Sequence, residues 1–217
     1  ITLLKNGALT GKGEFHPGDK AGRFDFDVTG LDLHAIHNEL KPTRLAGPLN
    51  VVLKPGGQDI LLKLQDAQYG IQADVAVTPE QVTLKQVLLT AQKARLELAG
   101  TLGTVGAMEY AFKGKLANFD PSLWLKTGKV PADAKAGTAP HSISARINMD
   151  FDTTGSLSPA LQVRLNFSIH DSSYDQLPMS GSGKLQLAGK RLLPSSLDLL
   201  VAGNQLQLKG AFGAPSD

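Results

Sequence analysis

Along this chain apolar residues fall at every second position, segment after segment, and the segments end on Gly, Asp or Asn. Leu96, Leu98, Gly100 and Leu102 form one such run, and Leu206, Leu208, Gly210 and Phe212 another. A period of two sends successive side chains to opposite sides of a strand, so each strand has one apolar and one polar face. The pattern predicts strands at Leu9–Phe15, Arg23–Thr29, Gly47–Leu53, Ile60–Asp66, Ile71–Val77, Gln81–Lys85 and Val87–Thr90. It continues at Ala94–Leu102, Met108–Leu116, Ser142–Asp152, Leu161–His170, Met179–Ala188, Ser196–Val201 and Gln205–Phe212. Pro55-Gly56-Gly57 and Pro79-Glu80 read as turns, and Ala202-Gly203-Asn204-Gln205 as a tight hairpin. Short strands with short gaps predict an antiparallel meander.

Two places break the alternation. Leu31–Leu40 lacks β-branched runs and ends before Pro42. Asp120-Pro121 followed by Ser-Leu-Trp-Leu-Lys is a helix start, with Asp120 as N-cap and Pro121 in the first helical position. Both are expected to be short helices. The stretch 126–141, rich in Gly, Ala, Lys and Pro, reads as a loop. The segments also repeat loosely, giving one elongated β-domain over 1–217 made of two units, about 8–104 and 108–213. In the first, Phe24, Phe26 and Val28 precede Leu31-Asp32; in the second, Tyr110 and Phe112 precede Phe119-Asp120. Asp66 and Asp171, each three residues before a Tyr, are expected to hydrogen-bond nearby backbone N–H groups in turns. Self-similarity of this kind marks architectures that extend in one dimension.

Composition narrows the function classes. Hydrophobic residues make up 41%, charged residues 19%, and the net charge is +2, too mild and too scattered for a nucleic-acid surface. There is no cysteine, so disulfides and thiolate metal sites are excluded. No apolar run approaches the roughly 20 residues of a membrane-spanning helix. The chain starts at Ile1 and stops on Ala-Pro-Ser-Asp after a strand pattern, and is expected to be a fragment of something longer.

Catalytic signatures do not assemble. His34 and His37 sit at i, i+3, but a solvated helix face accounts for them without a metal. Gly181-Ser182-Gly183 lies inside an alternating strand and lacks the strand–turn–helix setting of a nucleophile elbow. Asp25/Asp27 and Asp150/Asp152 alternate with apolar residues, the pattern of a solvated outer face. Trp124 is expected to anchor the second helix over the sheet.

A half-apolar sheet must cover its apolar face by a second sheet, by closing into a barrel, or by curling into a trough. Periodicity alone favours a sandwich or barrel whose interior is filled by side chains. The helices are too few and too short to cap about a dozen strands, and the repeat suggests open-ended extension; both favour the trough. An unfilled apolar trough suits acyl chains, each buried CH₂ contributing about 0.8 kcal/mol without directional demands.

Three stretches carry a family resemblance: Ile-Asn-Met-Asp-Phe-Asp-Thr-Thr-Gly at 147–155, Asp-Ser-Ser-Tyr-Asp-Gln-Leu-Pro-Met-Ser-Gly-Ser-Gly at 171–183 and Gly-Asn-Gln-Leu-Gln-Leu-Lys-Gly-Ala-Phe-Gly at 203–213. Gly-Leu-Asp-Leu at 30–33, Leu-Ala-Gly at 45–47, Leu-Ala-Gly-Thr-Leu-Gly at 98–103 and Asn-Phe-Asp-Pro at 118–121 fit the same style. In the order of these phrases the chain resembles the TamB family of the translocation and assembly module, among the AsmA-like, bridge-type lipid-transfer proteins. The resemblance implies an all-β fold, a long antiparallel sheet curled into an open hydrophobic groove (a β-taco) with one or two short helices. It implies the periplasmic part of an inner-membrane-anchored protein of Gram-negative bacteria and an Omp85-class outer-membrane partner, TamA. Two roles attach to the family: carrying phospholipid acyl chains between the membranes, and assisting insertion of autotransporters and other outer-membrane β-barrels. It brings no catalytic residue, cofactor or metal, and no enzyme is expected.

The alternation phase names the expected acyl-chain lining. In the first unit it is Phe24, Phe26, Val28, Leu49, Val51, Leu53, Ile71, Val75, Val77, Leu96 and Leu98. In the second it is Tyr110, Phe112, Ile147, Met149, Phe151, Val163, Leu165, Phe167, Leu185, Leu187, Leu206 and Leu208. A one-residue slip of register would invert any strand's share of this set. Two other readings stand beside it: a scaffold that holds client strands along a sheet edge, and a spacer with a filled core.

Overall fold

The computed structural model of the protein describes residues 2–3, 7–124 and 145–212. The expected loop at 126–141 and the first residues of the strand expected from Ser142 lie outside them. The strands of the first half are β1 (Thr2–Leu3), β2 (Gly7–His16), β3 (Ala21–Leu31), β4 (Leu45–Lys54), β5 (Gly57–Gln65), β6 (Tyr69–Val77), β7 (Gln81–Ala91) and β8 (Ala94–Gly103). Those of the second are β9 (Glu109–Phe119), β10 (Ala145–Ser156), β11 (Gln162–Tyr174), β12 (Leu177–Ala188), β13 (Arg191–Val201) and β14 (Asn204–Phe212). Two helices, α1 (Leu33–Ile36) and α2 (Pro121–Trp124), follow β3 and β9. All strands belong to one sheet whose spatial order is the chain order, each antiparallel to its neighbours. The sheet is curled and does not close, so the expected all-β open trough is the observed fold.

Turn chemistry sets this meander. Between β4 and β5, Pro55 supplies the fixed φ and Gly56 takes a φ of 83° that other residues avoid. Asp175-Gln176 joins β11 to β12 and Ala202-Gly203 joins β13 to β14, with positive φ at both central residues. Such two-residue turns twist in the sense of the flanking strands.

Where the alternation slips, a bulge restores it. Leu84 and Val87 are three apart, so an unbroken strand would put them on opposite faces. They pair with Gly100 and Leu98, two apart, and the extra residue is absorbed at Lys85-Gln86. The segments expected as two strands, 81–85 and 87–90, are therefore one. The same correction separates Val28 from Leu31, Leu116 from Phe119, Ile169 from Ser172 and Leu192 from Ser195. At Ile169/Ser172 the bulge also changes the expectation for Asp171. That residue lies inside β11 with φ 45°, and its carbonyl accepts from the Asn148 side chain at 2.7 Å. The Tyr174 that follows ends the strand, 46% exposed.

The element order runs strand, helix, five strands, twice over: β3-α1-β4 to β8, then β9-α2-β10 to β14. Each helix is preceded by a residue of positive φ (Gly30, Asn118), an apolar residue and an Asp. Asp32 caps α1 by accepting from the N–H of His34 at 3.0 Å, and Asp120 caps α2 by accepting from that of Ser122 at 2.8 Å. The helix expected over Leu31–Leu40 is a single turn. Asp32 also accepts from Thr43 N, and the buried Thr43 hydroxyl accepts from Leu33 N and donates to Leu31 O, drawing the chain straight into β4.

Packed interior is scarce. Among the described residues the buried hydrophobic side chains are Val28, Leu45, Leu64, Tyr69, Ala91 and Ala94. Each lies near one end of its strand, on consecutive strands β3 to β8, and together they mark one rim of the sheet. Leu33 of α1 and Leu123 and Trp124 of α2 pack on them. The Tyr69 and Trp124 rings lie 5.4 Å apart, Tyr69 Oη donates to Leu123 O at 2.8 Å, and Lys41 N donates to Trp124 O at 2.9 Å. Trp124 anchors its helix over the sheet in this way.

Candidate functional site

The register joins the apolar phases of the strands into one surface. One row of directly paired residues crosses thirteen strands, from β2 to β14. It runs Gly11, Phe26, Leu49, Leu62, Ala73, Val87, Leu98, Gly114, Phe151, Phe167, Gly183, Leu197 and Leu208. None is polar. At about 4.8 Å per strand the row is roughly 60 Å long. Neighbouring rows are nearly as pure. Phe24, Val51, Ile60, Val75, Leu84, Gly100 and Phe112 are paired in succession, and only Thr153 separates them from Leu165 and Leu185.

Every residue expected in the lining falls on this face, because bulges compensate each break in the alternation. Val28 is set apart: it is 3% exposed beneath the rim cap, and Leu49 and Ile71 pack partly against the same cluster. Sequence reasoning left out of the lining Ile60 and Leu62 in β5, Val82, Leu84, Val87 and Leu89 in β7, and Leu197 and Leu199 in β13. Their alternation was visible; in β7 and β13 it was interrupted by the odd-numbered step of a bulge.

No second layer lies over this face among the described residues. Leu206 and Leu208 remain 48% and 52% exposed although they carry the inward phase. Beside them a hollow of about 300 Å³ is lined mainly by Leu185, Leu192, Leu197 and Leu208 with Gly210 and Ala211. The interior expected of a spacer with a filled core is confined to the one rim.

The opposite face is polar and stitched by carboxylates. Asp25 accepts from Asn50 at 2.6 Å, Asp152 from Asn166 at 2.8 Å, and Asp198 from Gln205 and Gln207 at 3.0 Å. Asp59 is bonded by Lys54, and Lys85 lies 3.1 Å from Asp74 and 3.7 Å from Asp59. The Lys54 ammonium holds the Asp59 carboxyl below its ordinary range, and the bond to Asp74 raises Lys85. These groups meet solvent, so they fix the outward phase of each strand more than they stabilise it.

At the capped rim, Asp66 is partly buried, which pushes its pKa up. Backbone N–H groups of Gln68, Arg44 and Tyr69 outweigh this together, and the net shift is downward. Burial, and then the Asp66 charge, push the Tyr69 phenol up. His34 Nδ1 lies 3.1 Å from Leu40 O, and His37 Nδ1 accepts from Glu39 N, so both rings are engaged locally. Among the described residues no group of three or more His, Cys, Asp or Glu side chains is placed to hold a metal.

Searches against protein-family models, curated proteins and solved structures each returned no match.

Proposed function

We propose that this chain is a length of hydrophobic groove that holds phospholipid acyl chains, within a protein that carries lipid between the inner and outer membranes through the periplasm. The observation that carries this reading is the unbroken apolar row from β2 to β14, with no layer over it among the described residues. Monomeric proteins rarely leave contiguous apolar area beyond a few hundred Å² without a partner. Aliphatic walls without a polar pocket match hydrocarbon tails, and headgroups would stay in water along the open side. The sequence resemblance supplies the cellular setting and the Omp85-class partner.

The first test is mass spectrometry of the purified protein for co-retained phospholipid. The second is Leu165→Asp and Ile147→Asp in the full-length protein. Each charge should stop lipid passage while far-UV circular dichroism stays that of the parent sheet. Unchanged lipid transport with either variant ends the conduit reading for this segment.

A second reading is a scaffold that holds client β-barrel strands by strand addition along a sheet edge, through backbone hydrogen bonds. Proline substitutions on an edge strand of the full-length protein should then abolish client capture, whereas Leu165→Asp should spare it.

A further inference from the structure

Seven aromatic residues on the apolar face, within strands β2 to β11, are each directly opposite a glycine, whereas Tyr69, Phe119 and Tyr174 at the ends of their strands face Ala91, Ile147 and Ala145. Phe24 faces Gly13, Phe26 faces Gly11 and Phe15 faces Gly22 between β2 and β3. The second unit repeats this: Phe112 faces Gly100, Phe151 faces Gly114, Tyr110 faces Gly155 and Phe167 faces Gly183. The rings take the room that the glycines leave. A Cβ at Gly183 would stand 2.5 Å from Cε1 and Cζ of Phe167, and one at Gly114 would stand 2.6 Å from Cε1 of Phe151. Real Cβ atoms do not come that close. The rings therefore lie down on the neighbouring backbone instead of standing up into the trough.

Glycine inside a strand weakens it, so its recurrence opposite these seven rings calls for a local cause. A phenyl ring across from any larger residue would be displaced away from the sheet. We infer that the glycine opposite each ring sets the clearance of the groove, and so determines how bulky a hydrocarbon tail it accepts. This rests on the acyl-chain reading above. Tails with kinks or branches need the lowered floor; a straight saturated tail does not.

Gly183→Ala is the cleanest perturbation. Its φ is not in the left-handed region, and the nearest backbone atom to the new methyl is Ser196 O at 3.2 Å, so the Phe167 ring has to yield. Binding of two probes to the purified protein reads the effect: palmitate, and hexadecanoate bearing a terminal pyrene. The parent should bind both. Gly183→Ala should weaken pyrene-hexadecanoate about tenfold, the scale of one unaccommodated methyl, and leave palmitate within about threefold. Adding Phe167→Leu should restore the pyrene probe. Phe167→Leu alone, which needs no room at Gly183, should favour the pyrene probe over the parent. Equal loss of both probes, or an unchanged ratio in Gly183→Ala and in Phe167→Leu, overturns the clearance role. A parent that binds neither probe overturns the acyl-chain reading itself.

Discussion

Leu45 and Leu208 carry the same side chain in opposite surroundings, and truncating each to alanine reads how much of the apolar face is covered. Leu45 is 0% exposed in the rim cluster. Its truncation removes about three buried carbon groups at about 0.8 kcal/mol each and leaves a void, for a loss of about 2.5–4 kcal/mol. Leu208 is 52% exposed. Half of its surface already meets water and no void forms, so Leu208→Ala should lose about 1 kcal/mol or less. Leu165, in mid-sheet and partly covered by its neighbours, should fall between them. For a chain of this length 1 kcal/mol moves the thermal midpoint by about 2–4 °C. Leu45→Ala should therefore melt roughly 5–16 °C below the parent, and Leu208→Ala within about 4 °C of it. The assay is thermal unfolding followed by far-UV circular dichroism for the sheet and by Trp124 fluorescence for the cap. If Leu165→Ala and Leu208→Ala both melt as early as Leu45→Ala, the face is packed against another layer and the open groove is refuted.

Tyr69→Phe removes the bond to Leu123 O and should lower stability by about 0.5–1.5 kcal/mol. Trp124 fluorescence in a urea titration checks it, and no loss would mean the cap is held by ring packing and the Lys41 bond to Trp124 O without this hydroxyl. Asp66 has a folded pKa below its ordinary 3.8, so its contribution is intact above that value and is lost as pH falls through the depressed one. Acid unfolding of Asp66→Asn should accordingly be flatter below about pH 4 than that of the parent, and parallel profiles would contradict the three-amide account.

The sheet was legible because its code is local. A period of two, Gly and Pro at the turns, and Asp before each helix are each read within a few residues. Those signals placed Phe24 to Leu208 on one surface before any pairing was known. What escaped depends on a neighbouring strand. Val87 is in phase with Leu84 only because Gly100 and Leu98 oppose them. Likewise, Gly183 explains itself only once Phe167 is seen across from it. Asp66 behaved as a turn carboxylate because Tyr69 opens the next strand; Asp171 did not, because a bulge consumed the equivalent residues. The packing of Trp124 on Tyr69 joins residues far apart in the chain, and no periodicity announces it.

Because every strand pairs only with those adjacent to it in the chain, the sheet has no closing seam to satisfy. The ties from Lys41 and Tyr69 to α2, and from Tyr110 of β9 to Gln162 of β11, are among the exceptions. Inserting or excising a whole hairpin would return the backbone to the same side with the same oily phase, while a single strand would not. Duplication of two-strand modules thus offers a route by which evolution could lengthen or shorten such a sheet, and folding could zip outward from any hairpin without waiting for distant partners.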